Sequence, residues 1–389
     1  PRFRISRVAD GGAGSHVYID LLGREVKRAT QSMDGRFVVV GNGYDAKGNN
    51  TKVCEPHFDD APGNEHYFSE MDYDDLGRAV RSRNPYPDSQ NSSNTIMIES
   101  TVDFNGLQRA SRNDIYGLDQ SKVELRDTMN NLIQVTDNNG QVLSYAYDSA
   151  ASMVQAVDAD NNVTEITFDS LGRKKSINDP DRGLSTFAYN GLGEVIGQIN
   201  ANGDAICMRY DKLGRMTKRF THLLQDPAQC ATAYNATNSH WFYDTAAGAG
   251  IGKLAGSRIS WSAGWWGGGS YADTSYAYDD YGNTVSTVFR DDNYSERYTT
   301  TMTYDVLHRL DTLRYPAPQG QQGVAVKTVY NALGCAMETR DADNDDLYRA
   351  IVEVDALGNV VQEQFGNGVE TYRGFDSRTR HPEFIQSWR

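Results

Sequence analysis

The chain has 389 residues, a formal net charge of −14, 39% hydrophobic residues, 36 Gly, 10 Pro and 23 Tyr. That acidic balance excludes broad nucleic-acid binding, which needs clustered cations, and no apolar run approaches the roughly 18 residues of a membrane-spanning helix. Abundant Tyr, Gly and Asp/Asn with little Pro favour strands and turns over helices or a disordered linker. The chain starts at Pro1 without a Met, so it is expected to be a processed or excised piece of something longer, and the missing leader carries no information.

Residues 1–134 hold loose copies of one motif, an aromatic-acid pair followed by a glycine turn. They are Asp20-Leu-Leu-Gly23-Arg24, Tyr44-Asp45 with Gly48, Tyr73-Asp74 with Gly77-Arg78, and Phe104-Asn105 with Arg109. Asp127 to Asn131 is a further copy that lacks the aromatic. In the same region His57, Asp59, Asp60, Glu65 and His66 form the densest polar cluster. A metal site would need two His and a carboxylate to converge on one ion. Pro62-Gly63-Asn64 interrupts the cluster, so a surface loop is expected there.

Residues 135–218 are strictly periodic. Tyr147-Asp148, Phe168-Asp169, Tyr189-Asn190 and Tyr210-Asp211 recur every 21 residues, and Gly172, Gly193 and Gly214 each sit four positions after the aromatic. Arg173 and Arg215 follow two of these glycines. Val163-Thr-Glu-Ile166-Thr-Phe168 alternates with period 2, as a half-buried strand does. In the turn, Asp or Asn caps its own backbone and Gly supplies a positive φ. A second strand and a second turn complete each repeat; Asp158 to Asn162, Asp179-Pro180-Asp181-Arg182-Gly183 and Asn200 to Asp204 fill that second-turn slot. A lone hairpin is marginal in water, but stacked hairpins cover one another's edges. The expected fold is therefore an all-β, repetitive antiparallel ribbon of hairpins about 21 residues long. The repeat aromatics are expected to stack on their equivalents in neighbouring rungs.

Residues 219–275 break the period and read as an irregular insertion. Trp261, Trp265 and Trp266 beside Gly267-Gly268-Gly269 either fill the ribbon's curvature or meet a partner, such as a glycan, receptor or membrane interface. Repeats resume over 276–389 with Tyr278-Asp279 and Gly282, Tyr304-Asp305 with Arg309, Tyr330-Asn331 and Gly334, Asp355 with Gly358, and Phe375-Asp376. About fifteen copies cover the chain. The acidic runs at 158–162 and 341–346 lack the glycine that a calcium loop needs at its sixth position, where Val163 and Asp346 stand, and both read as turns. Arg24, Arg78, Arg173 and Arg215 alternate with Asp at the same period, which favours short-range pairing over a basic track. Cys54, Cys207, Cys230 and Cys335 form no metal-type pair; four buried free thiols are expected, with a Cys207–Cys230 disulfide as the alternative.

The unit Y-D-x-L-G-R, with an acid-and-glycine second turn, resembles the YD repeat of Rhs proteins: bacterial polymorphic toxins, the B and C components of insecticidal toxin complexes, and the animal teneurins. Residues 365–380 resemble the end of the repeat region in the B component, and residues 240–260 an irregular module of the same proteins. The resemblance implies a ribbon that spirals into part of a hollow shell around a toxic C-terminal effector, in a protein secreted or held at the bacterial surface. Its implied partners are other segments or subunits of the same shell and the enclosed effector. Self-cleaving relatives carry paired D-P-x-G motifs beside the cleavage site. Here Asp179 to Gly183 is mid-chain, has an inserted residue and has no partner, so no cleavage residue carries over.

The sequence assigns no catalytic residue, metal or cofactor. The leading expectation is a non-enzymatic toxin shell. A cell-surface adhesion or glycan-binding module using the Trp residues is the first alternative, and a metal-dependent hydrolase built on His57 and His66 the second.

Overall fold

The computed structural model describes residues 3–7, 13–60, 68–87, 95–115, 118–233, 238–262, 269–294, 296–318, 321–376 and 381–389. Among them, thirty-two strands belong to one sheet, and the only helical element is a single 3-10 turn, Pro227–Ala231. Pairing is antiparallel between chain neighbours: Val163–Phe168 pairs with Lys174–Asp179, which pairs with Gly183–Tyr189, which pairs with Val195–Ile199. This is the hairpin ribbon that the period-2 alternation dictates.

The chain divides into two compact units. One comprises Pro1–Arg126, Val135–Gln141 and Val326–Arg389; the other comprises Asp127–Gln134 and Val142–Ala325. In the first, the ribbon meets itself across long sequence distances. Arg36 Nη2 donates to the Val354 carbonyl at 3.1 Å, and Asn331 Nδ2 donates to the Met33 carbonyl at 2.5 Å. Arg36 also lies 3.5 Å above the Phe58 ring.

In the second unit the stretch 219–275 holds the strands Asn238–Tyr243 and Leu254–Ser262 and most of Gly269–Tyr278, each paired antiparallel with the next. A segment before them, including Pro227–Ala231, folds over one face. It builds a small core from Ile199, Ala205, Cys207, Phe220 and Cys230, with Leu224 and Ala233 packed against it. Gly197 permits this approach, because a Cβ there would lie 2.2 Å from the Pro227 carbonyl oxygen.

Cys207 and Cys230 form a disulfide, with Cα atoms 5.1 Å apart. The expectation of four free thiols is thus corrected. The crossing segment lays Cys230 directly against the strand of Cys207, a proximity that their separation of 23 residues does not reveal. Cys54 is buried and Cys335 only half-buried, and neither joins a disulfide.

Candidate functional site

Each repeat begins with a turn that its own acid organises. Asp169 Oδ1 accepts from the amides of Leu171 and Arg173, both at 2.9 Å. Its Oδ2 accepts from Arg173 Nε at 2.7 Å. Gly172 closes the turn at φ +75°, where a Cβ would be strained. The same cap recurs at Asp74 with Arg78, Asp211 with Arg215, and Asp305 with Arg309. At four of these turns among the described residues an Asn side chain takes the place of Arg, as in Asn283 to Asp279 at 2.9 Å. Asp148 keeps only the backbone half of the cap, to Ala150 and Ser152. These hydrogen bonds hold the carboxyls of Asp74, Asp169, Asp211 and Asp305 below the usual range, against a burial contribution that acts the other way.

The glycine slot is left-handed in every copy that carries Gly, including Gly77, Gly193, Gly214, Gly282 and Gly334. Ala151 at φ 62° and His308 at φ 61° occupy the same slot without the freedom of glycine. The repeat leucine is surface, not core: Leu171 is 74% and Leu192 77% exposed.

The sheet register shifts just before the repeat aromatic, at Asp72/Tyr73, Ala146/Tyr147, Thr167/Phe168, Ala188/Tyr189, Arg209/Tyr210, Ala277/Tyr278, Thr303/Tyr304 and Val329/Tyr330. Such a bulge bends the strand and re-aims the side chain. The re-aimed tyrosine reaches back one repeat. Its hydroxyl donates to the carbonyl of the residue after the preceding turn's Arg or its substitute. The bonds are Tyr73 to Asn50, Tyr147 to Leu132, Tyr189 to Lys174, Tyr210 to Val195, Tyr278 to Leu254 and Tyr304 to Thr284, all at 2.8 to 2.9 Å.

The preceding turn's cation covers the ring: Arg173 lies 4.6 Å from the Tyr189 centroid, Arg78 4.1 Å from Phe104 and Arg215 4.4 Å from Tyr243. Burial raises the pKa values of Tyr189, Tyr210, Tyr278 and Tyr304. The expected aromatic-on-aromatic ladder does not form, and where the preceding turn ends in a cation, cation and ring alternate instead. The physical reason is spacing: equivalent rings are two strands apart, about 9–10 Å at 4.7–4.9 Å per strand. A guanidinium fills that gap. None of the ring pairs among the described residues joins two repeat aromatics.

Arg215 extends the linkage, binding Asp244 of the following turn at 3.0 and 2.6 Å as well as its own Asp211. The bonds from Arg215 and the Gly252 amide hold Asp244 at about 2.

The remaining candidates are distributed as follows. His57 Nδ1 sits 3.0 Å from the Glu55 carbonyl, and Asp59 pairs with Lys27 at 2.8 Å. Glu65 and His66 lie outside the described residues. No group of three potential metal ligands occurs among the described residues. Asp158 caps a turn through Asp160 and Asn162, Asp179 caps through Asp181 and Arg182, and Asp341 bonds Asp343 and the Tyr348 hydroxyl. The backbone of Trp261 pairs with Ser270; its side chain, and all of Trp265 and Trp266, lie outside the described residues. In the first unit a cavity of about 340 Å³ is lined by His57, Phe58, Val354, Leu357, Val361 and Phe375. No helix among the described residues is long and apolar enough to cross a membrane.

These features define an all-β ribbon protein whose turns are capped by an acid or an amide and whose rungs are joined by tyrosine hydroxyls and, where a turn ends in a cation, by a cation–ring contact. No protein-family model and no curated protein matches the sequence. Solved structures do. The crystal structure of TcdB2-TccC3 aligns over 97% of this chain and 21% of that chain, at 14% identity and a TM-score of 0.73. The crystal structure of TcdB2-TccC3-TEV gives 14% identity and a TM-score of 0.72 over the same shares. The Photorhabdus luminescens Tc holotoxin pore gives 14% identity and 0.72 over 97% of this chain and 20% of that chain. The chain thus spans about a fifth of the length of the solved chains it matches. Its fold is that of an Rhs/YD-repeat shell.

Proposed function

We propose that this chain is a wall segment of a hollow shell belonging to a bacterial toxin, secreted or displayed at the cell surface, and that its role is structural rather than catalytic. The shell would encapsulate or present a C-terminal effector, and other segments or subunits of the same toxin would complete it. The observation that carries this reading is the likeness of nearly the whole ribbon, 97% of it, to toxin-complex structures solved with two components together. Two features of the chain support it. Arg36 meets Val354 and Asn331 meets Met33 across separations of 318 and 298 residues, so ribbon segments remote in sequence pack on one another as a wall requires. The Cys207–Cys230 disulfide suits an oxidising, extracellular setting.

Limited proteolysis of the protein with its effector in place tests the reading. An enclosed effector resists digestion until the shell is opened by denaturant. An effector cut at the same rate with and without the shell overturns it.

A further inference from the structure

The register of the second unit aligns side chains that the sequence scatters. Arg209 opposes Lys218, Lys218 opposes His240, His240 opposes Arg258, Arg258 opposes Asp273, Asp273 opposes Arg290, and Arg290 opposes Arg297. Directly opposed residues in an antiparallel sheet share a face. Seven consecutive strands therefore carry one row of side chains, six of them basic, about 29 Å long at about 4.8 Å per strand. Like charges directly opposite destabilise a sheet, and this row lies in a chain with a net charge of −14.

Crowding on this face disfavours added positive charge. Burial, then Lys218 and Arg258, lowers the pKa of His240, and burial, then Arg209, lowers that of Lys218. Aromatic rings interleave on the same face. Arg209 and Lys218 each lie 5.4 Å from the Phe220 centroid. Arg258 and Arg290 lie 4.2 and 5.6 Å from that of Tyr271. One end of the row is roofed by the disulfide-held segment, where Arg209 Nη2 donates to the Ala233 carbonyl at 3.0 Å. The other end opens into a cavity of about 410 Å³ lined by Phe242, Arg258, Asp273, Ser275, Arg290 and Arg297.

We propose that this stripe, with the cavity over its Arg258–Arg297 end, is a docking track for an extended acidic polypeptide segment. Three observations select that partner. The track's own acids already display the mode of contact: Asp273 meets Arg258 at 3.0 Å and Asp292 meets Arg290 at 3.4 Å. Stacking on Tyr271 occupies guanidinium faces and leaves edges, which match planar carboxylates. In an extended chain, side chains on one side recur about every 6.8 Å, within the reach of long cations set one strand apart. A nucleic acid draws its non-specific affinity from many phosphate contacts, more than the three arginines lining this cavity supply. The inference rests on these side chains alone and is independent of the shell reading.

The test is fluorescence anisotropy with a labelled hexaglutamate peptide at low salt, about 50 mM, where surface electrostatics are least screened. Saturable binding is expected. It should weaken about tenfold or more in the double variant Arg290→Gln/Arg297→Gln, as truncation of paired charges does. The control double variant Arg4→Gln/Lys175→Gln, which removes the same charge elsewhere, should leave binding within about twofold, because distant exposed charges are screened. Absence of saturable binding, equal loss in the control, or competition by a hexameric oligonucleotide as effective as the peptide itself overturns the proposal. Hydrogen exchange on the unmodified protein tests it without any substitution. Peptide should slow exchange across residues 256–260 and 286–291, and unchanged rates there overturn the proposal.

Discussion

Replacing Tyr189 with Phe removes one hydroxyl and leaves the ring beneath Arg173. The lost bond runs to the Lys174 carbonyl at 2.8 Å, in a half-buried setting. A hydrogen bond of this kind contributes about 1 kcal/mol net. In a quasi-one-dimensional array that loss falls on one interface between neighbouring repeats, so local opening there should become about fivefold more frequent. Hydrogen exchange read by mass spectrometry on peptides covering 170–195 measures it, with peptides from Leu310–Arg314 as an internal reference.

The reciprocal change sharpens the test. Tyr147, Tyr189 and Tyr210 each reach a carbonyl 15 residues earlier, and Phe168 occupies the equivalent place with no hydroxyl. Phe168→Tyr should add a bond to the Met153 carbonyl and slow local exchange by a similar factor. Unchanged exchange in both variants would refute the staple as the device that joins the rungs.

Ala151→Gly should stabilise the protein by about 0.5 kcal/mol in urea unfolding, because relief of a left-handed Ala outweighs the added chain entropy of Gly. Cys207→Ser/Cys230→Ser should cost about 3 kcal/mol on a chain-entropy estimate for a loop of this size, with faster exchange over 224–233 as the readout. Glu363 is buried, and although burial raises its pKa, the bonds from Arg373 and Arg349 set the net shift downward. Its stabilising contribution is therefore present above about pH 4.3, the ordinary Glu value, and is lost as pH falls through the lowered folded value. Acid unfolding followed by tryptophan fluorescence should lose that component in Glu363→Gln, which should also be destabilised near neutral pH by about 2 kcal/mol for leaving two partly exposed guanidiniums without their acid.

Local chemistry was legible in the sequence and non-local geometry was not. The Asp169 cap and Gly172 turn follow from residues four positions apart, so the strand-turn-strand repeat could be read directly. The staple could not, because its acceptor is a backbone carbonyl and its reach depends on a bulge that no residue type announces. Spacing also defeated the ring-on-ring ladder, since equivalent tyrosines sit two strands apart. The Cys207–Cys230 pairing could be named from the sequence only as the alternative, because it depended on where residues 224–233 cross the sheet. The basic row was hidden most deeply. Loops of unequal length place Arg209, Lys218, His240, Arg258, Arg290 and Arg297 at irregular intervals, and only the register aligns them. The periodic arginines at the turn ends, the more conspicuous track, are already engaged by Asp169 and its equivalents.

In the proposed role, these repeats form the wall of an enclosing shell. Cryo-electron microscopy of the protein purified from its native source, with the chains that accompany it, tests this most directly. The expected image is a thin curved wall of stacked hairpins around a cavity. A solid globule, or a straight rod of hairpins with no enclosed volume, would contradict it.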